Sequence, residues 1–188
     1  MIEIVCYMGG TCGDLVTALI DRTDVSFNIN KRTIIHSPIR TRLKKSNLFD
    51  SDIEKNQYIQ DIGILYNSIP SHDIEYHIRR KHSFIGITVD DYDVALWAAL
   101  RFKNAHRSHV WQEMQQACGA KSVEDYAQMM IGYSQLIKLH TTRIVKLESI
   151  RHGCAVDDLE KILGITIDKG TRTVYYNWLD MQNGIFIS

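Results

Sequence analysis

Proline is nearly absent: the 188-residue chain has two, beside 11 glycines, which excludes long stiff linkers and low-complexity tracts. Net charge is missing too. Twenty-two Lys and Arg balance 22 Asp and Glu, so no global field draws the molecule to nucleic acid or a membrane, and any polyanion site must be a local patch. The four cysteines, Cys6, Cys12, Cys118 and Cys154, contain no CxxC pair, which leaves out zinc-ligand spacing and fits a reducing cytosol. No apolar run approaches the ~18 residues of a membrane span. The opening MIEIVCY is too short and too acidic for a signal peptide. What is present is the composition of a globular protein, 45% hydrophobic and 23% charged, on a length that suits a single domain over residues 1–188.

Apolar runs alternate with amphipathic ones. IEIVCY, at residues 2–7, reads as a buried first strand, and DLVTALID from Asp14 has helical spacing, with Leu15, Ala18 and Leu19 on one face. A short strand is expected at residues 33–36, a helix after Pro38, and a helix over residues 50–67, where Ile53, Ile59, Ile62 and Leu65 recur. SIPSHD is strand-like with a polar tip, and HIRRKH reads as a solvated loop. SFIGITVDD is the clearest strand and YDVALWAALRFKNAHR the clearest helix. A helix pair is expected at residues 108–118 and 122–139. TRIVKLESI reads as a last strand, AVDDLEKILGI as a capped helix ended by Gly164, and TRTVYYNWLDMQNG as an aromatic helix. The alternation predicts an α/β fold, a parallel sheet with helices on both faces. Ligands in such folds sit beyond the carboxyl ends of the strands. The tips to watch are residues 9–14, His36, His72 with Asp73, and Asp90 with Asp91.

CYMGGTCGDL, residues 6–15, is the most telling stretch. A strand, a glycine-rich turn and a helix form a phosphate-binding layout, with free backbone N–H groups meeting the positive end of the helix dipole. Gly9, Gly10, Thr11, Cys12, Gly13 and Asp14 are the candidate phosphate contacts. The full GxxxxGK[ST] pattern is not met. With Gly13 aligned on its second glycine, Asp14 stands where the lysine belongs. The plainer alternative is a tight turn with Asp14 as a first-turn acid. Likewise Asp90 and Asp91 read either as metal-side acids or as a helix cap.

Several stretches resemble the sulfotransferase-like branch of P-loop proteins: YMGGTCGDL its phosphate loop, FIGITVDDYDVALWAALRF a strand and following helix, and IVKLESIRHGCAVDDLEKILGI its late strand and helix. Two departures matter. The loop lysine that such enzymes turn on the sulfate donor is replaced by Gly9, and the arginine expected at a strand end is replaced by Val89-Asp90-Asp91. A lysine-poor loop with strand-end acids is similar instead to the small bacteriophage P-loop kinases that phosphorylate 5-hydroxymethyluracil in DNA.

That resemblance implies a P-loop NTPase or kinase-like three-layer fold. It implies an ATP- or GTP-dependent kinase with Mg²⁺, acting on double-stranded DNA that carries a modified base, in the cytosol of an infected bacterium. On this reading Asp90 and Asp91 hold the metal, Asp90 and Asp14 serve the chemistry with Asp14 as base toward the hydroxyl, and Arg79 and Arg80 close as a cationic lid. His36, Arg40, His72 and Asp73 contact the substrate. The basic stretches IRTRLKK, RRK and RFKNAHR line a rim for DNA phosphates. Two other functions stay open: a sulfotransferase-like enzyme on a small hydroxyl acceptor, and a noncatalytic nucleotide-binding protein.

Overall fold

The computed structural model describes residues 3–21, 68–105 and 108–185. The strand expected at 33–36, the helix after Pro38, the helix over 50–67, and the candidates His36 and Arg40 lie outside the described residues. Among the described residues four strands form one sheet: β1 (Glu3–Cys6), β2 (Ser68–Ser71), β3 (Ile85–Thr88) and β4 (Ile144–Lys146). The spatial order is β2-β1-β3-β4 and every pairing is parallel. Registers include Glu3 opposite Ser68, Val5 opposite Ile85 and Gly86 opposite Ile144.

Helices cover both faces of the sheet: α1 (Gly13–Asp21), α2 (Ile74–Arg79), α3 (Tyr92–Ala105), α4 (Ser108–Cys118), α5 (Val123–His140), α6 (Leu147–Arg151), α7 (Ala155–Leu163) and α8 (Lys169–Ile185). Two-residue alternation along β1 accounts for this. Val5 joins Ile85 and Ile87 of β3, Leu15 and Leu19 of α1 and Leu159 of α7 in the larger apolar core. Ile4 and Cys6 point the other way, to a smaller cluster with Ile74 of α2 and Ile137 of α5. A strand buried on both faces needs a run of apolar residues, and both β1 and β3 carry one.

Two elements differ from the sequence expectation. Residues 74–79, inside the stretch expected to be strand tip and solvated loop, form α2. Asp73 caps it, its carboxylate accepting from Tyr76 N–H at 3.0 Å, and Ile74, Tyr76 and His77 are buried beneath it. TRIVKLESI is not one strand. Pairing ends at Lys146 and the chain turns at once into α6, which buries Leu147 and Ile150 one helical turn apart. The predicted stop at Gly164 holds: this residue is left-handed, with φ of 65°.

The sheet order positions the site. β1 lies between β2 and β3, so the chain leaves β1 toward β2 and β3 toward β4; the strand order reverses between β1 and β3, where open α/β sheets take their ligands beyond the strand ends. The glycine-rich turn follows β1 at that point, and Val89, Asp90 and Asp91 follow β3.

Candidate functional site

The turn alternates in handedness. Gly10 and Cys12 have positive φ, 94° and 64°, while Gly9, Thr11 and Gly13 between and beside them do not. Backbone of alternating hand turns successive N–H groups toward one side, the geometry of anion-binding nests. Gly10 is required twice over. Its φ suits glycine, and a Cβ there would lie 3.1 Å from the carbonyl oxygen of Ala98 in α3. A Cβ on Gly13 would sit inside the ring of Tyr7. Cys12 takes a left-handed conformation that costs about 1–3 kcal/mol in a non-glycine residue.

The carbonyl side of the turn is tied down. Tyr126 hydroxyl donates to the Gly9 oxygen at 3.0 Å, and Thr11 hydroxyl to Met8 oxygen at 2.8 Å. Arg101 Nη2 donates to Gly10 oxygen at 2.6 Å, and His72 Nδ1 approaches Tyr7 oxygen at 2.9 Å, so this nitrogen carries the ring proton. The donor side contrasts. Thr11 N–H reaches back to Met8 oxygen, but the N–H groups of Gly9, Gly10, Cys12 and Gly13 have no hydrogen-bond partner among the described residues. Gly9, Cys12 and Gly13 are buried, and buried backbone donors are nearly always paired.

A second observation marks the same end of the sheet. Among the described residues three buried side-chain atoms lack a partner: Thr88 Oγ1, Arg101 Nε and Glu148 Oε2. Thr88 ends β3, Glu148 lies two residues beyond β4, and Arg101 touches the turn after β1. Glu148 Oε1 is engaged, accepting from the N–H groups of Asp90 at 2.7 Å and Asp91 at 2.9 Å.

The predicted site residues are brought together in part. Asp14 opens α1 and its carboxylate accepts from Tyr7 hydroxyl at 3.0 Å. Tyr7 also receives His72 on its carbonyl, so Asp14 and His72 meet at Tyr7. Asp73 is the cap of α2. Asp91 accepts from Val94 N–H at 3.0 Å and so caps α3, which bears out the capping alternative. Asp90 is exposed and paired with Lys138, with Lys146 at 3.8 Å. No group of three or more His, Cys, Asp or Glu able to hold a metal occurs among the described residues.

Arg79 and Arg80 are exposed at the end of α2, on the segment returning to the start of β3. Within the RFKNAHR stretch Lys103 and Asn104 are exposed, but Arg101 is not a surface residue, being 8% exposed. It extends from α3 into the turn, where Cζ lies 5.4 Å from the Trp97 ring centre and 5.9 Å from that of Trp178, and Nη2 lies 3.1 Å from Cys12 Sγ. Burial pushes the Cys12 thiol up; Arg101 draws it back and Asp14 adds to the rise.

Arg101 and Glu148 are the residues that sequence reasoning missed. The available signal for Arg101 was its spacing: Trp97 lies four residues before it, and Ala98 and Phe102 beside it are core. Glu148 had the signal of a first-turn acid following β-branched residues. Trp178 and Tyr175 are buried, as an amphipathic helix requires, while Tyr176 stays outside. No helix among the described residues is long and apolar enough to cross a membrane. No protein-family model matches the chain, and neither a curated protein nor a solved structure matches it significantly, so the site's own geometry carries the functional reading.

Proposed function

We propose that this chain transfers a phosphoryl group from a nucleoside triphosphate to an alcohol. The hydroxymethyl group of 5-hydroxymethyluracil in DNA is the acceptor, the choice coming from the sequence resemblance. The observation that carries the transfer reading is the turn of alternating hand at residues 9–13, with N–H groups unpartnered among the described residues, at the amino end of α1 and beyond the carboxyl end of β1. Phosphoryl transfer asks chiefly for positioning and charge neutralisation. The turn holds donor phosphates, and Asp14, steadied by Tyr7 hydroxyl, accepts the proton of the attacking alcohol. Mg²⁺, which takes carboxylate and phosphate oxygens, neutralises donor charge when bound. Asp91 keeps one carboxylate oxygen for it beside the cap bond, whereas Asp90 must first leave Lys138 and Lys146.

A noncatalytic nucleotide-binding role is the second reading. It is favoured by Thr11 and Thr17, whose hydroxyl hydrogens both go to backbone oxygens, of Met8 and Asp14. Label transfer from γ-³²P-ATP with Mg²⁺ decides. Duplex DNA containing 5-hydroxymethyluracil is compared with thymine DNA, using the native chain and Asp14→Asn. Label on the modified duplex alone, lost in the variant, is expected. Folded protein that binds ATP and labels neither duplex sinks the kinase reading in favour of the noncatalytic one.

A further inference from the structure

We propose that Arg101 supplies the positive charge that the glycine-rich turn lacks, its guanidinium being the counter-ion of a phosphate group held at residues 9–13. This rests on the anion-binding reading of the turn and deepens it. The P-loop pattern places a lysine in the turn itself; here the cation arrives from α3, which packs against the turn at Gly10.

Three facts converge. Arg101 is 8% exposed, yet no carboxylate pairs with it among the described residues. A buried charge without a partner is strongly unfavourable, so native proteins pair such groups. Its Nη2 reaches the turn at Gly10 oxygen and Cys12 Sγ, while Nε has no acceptor. Trp97 and Trp178 border the guanidinium with their rings, which offer no acceptor to its unpartnered Nε. The missing partners on both sides are then complementary. The turn offers backbone donors that need an anion, and Arg101 offers a cation and a free N–H that need the same. Cys12 does not fill the role, since burial keeps its thiol protonated at neutral pH. A fixed positive charge with an open Nε–H, beside backbone N–H groups, suits an anion rich in acceptor oxygens, so the ligand class is a phosphate monoester, pyrophosphate or nucleoside polyphosphate.

The test titrates inorganic pyrophosphate by calorimetry into the native chain, Arg101→Gln and Arg101→Lys, each checked for fold by circular dichroism. Native binding is expected, weakened about 10- to 100-fold in Arg101→Gln, the loss of a charge-assisted hydrogen bond, with Arg101→Lys between. Pyrophosphate bound by Arg101→Gln as tightly as by the native chain overturns the role of Arg101 and leaves the turn as an anion site. No binding by the native chain overturns both. If Arg101→Gln does not fold, the native chain still decides. Pyrophosphate must then change tryptophan emission, because Trp97 and Trp178 border the guanidinium, and measured binding with silent emission places the anion elsewhere.

Discussion

At the scale of single residues, the turn is held by steric exclusions as much as by hydrogen bonds. Gly13 lies under the Tyr7 ring, so any side chain there must displace an aromatic whose hydroxyl holds Asp14 and whose carbonyl holds His72. Gly13→Ala is expected to cost about 1–3 kcal/mol, the range for overpacking a close-packed site. Urea unfolding of Gly13→Ala, Tyr7→Ala and the double variant measures it. Because the clash is between these two residues, Gly13→Ala must cost clearly less in the Tyr7→Ala background. Equal costs in both backgrounds would place the strain in the backbone instead. The glycines were legible in the sequence as a turn. Their reasons were not: the Tyr7 ring over Gly13 and the Ala98 carbonyl against Gly10 are contacts set by tertiary packing. Arg101 escaped for a related reason. An arginine in a basic run reads as surface, and only the fold shows that its helix turns this position inward.

At the scale of elements, α5 joins the turn to the end of β3. Tyr126 holds the Gly9 carbonyl, Ser134 accepts from the Val89 N–H at 2.9 Å while donating to Met130 oxygen at 2.8 Å, and Ile137 packs on Gly86. Two serines on this helix should therefore differ in effect. Ser122 caps its exposed start, accepting from Asp125 N–H, and Ser122→Ala is expected to cost about 1 kcal/mol. Ser134 is buried, and Ser134→Ala orphans a buried backbone donor, at about 1–3 kcal/mol. Denaturant midpoints rank the two, and a Ser122→Ala cost above that of Ser134→Ala contradicts this account. Long periodic elements such as α3, α5 and α7, and the apolar runs of β1 and β3, were readable because burial repeats along them. α2 was not, since six residues are too few to show a period and its cap residue, Asp73, also suits a strand tip. The junction of β4 and α6 has no punctuation at all: β-branched residues run into Leu147 without glycine or proline, so a propensity reading extends the strand past its end.

For the whole molecule, burial of titratable groups sets an alkaline limit. Desolvation raises the thiols of Cys6 and Cys12 and the phenols of Tyr126, Tyr133 and Tyr175 above their ordinary values of 9.0 and 10.0. The unfolded chain gives up these protons at the ordinary values, while the folded chain keeps them. Their contribution to stability is complete below about pH 9 and falls as pH climbs beyond it, because the unfolded state then binds fewer protons. Thermal midpoints between pH 7 and pH 11 should be level at first and then drop; a midpoint unchanged at pH 11 would refute this. The parallel sheet has a further consequence, for synthesis. β1 pairs with residues 68–71 on one side and with Ile85 and Gly86 on the other, so both of its neighbours come later in the chain. While the chain leaves the ribosome, the strand that carries the glycine turn has no partner until some sixty residues have followed it, and lacks its second until some eighty have. Closing so long a loop is slow. A nascent chain halted before β3 therefore exposes an apolar strand edge, a target for chaperones rather than a ligand site, and the end of the sheet that carries the turn is complete only after translation has passed β3.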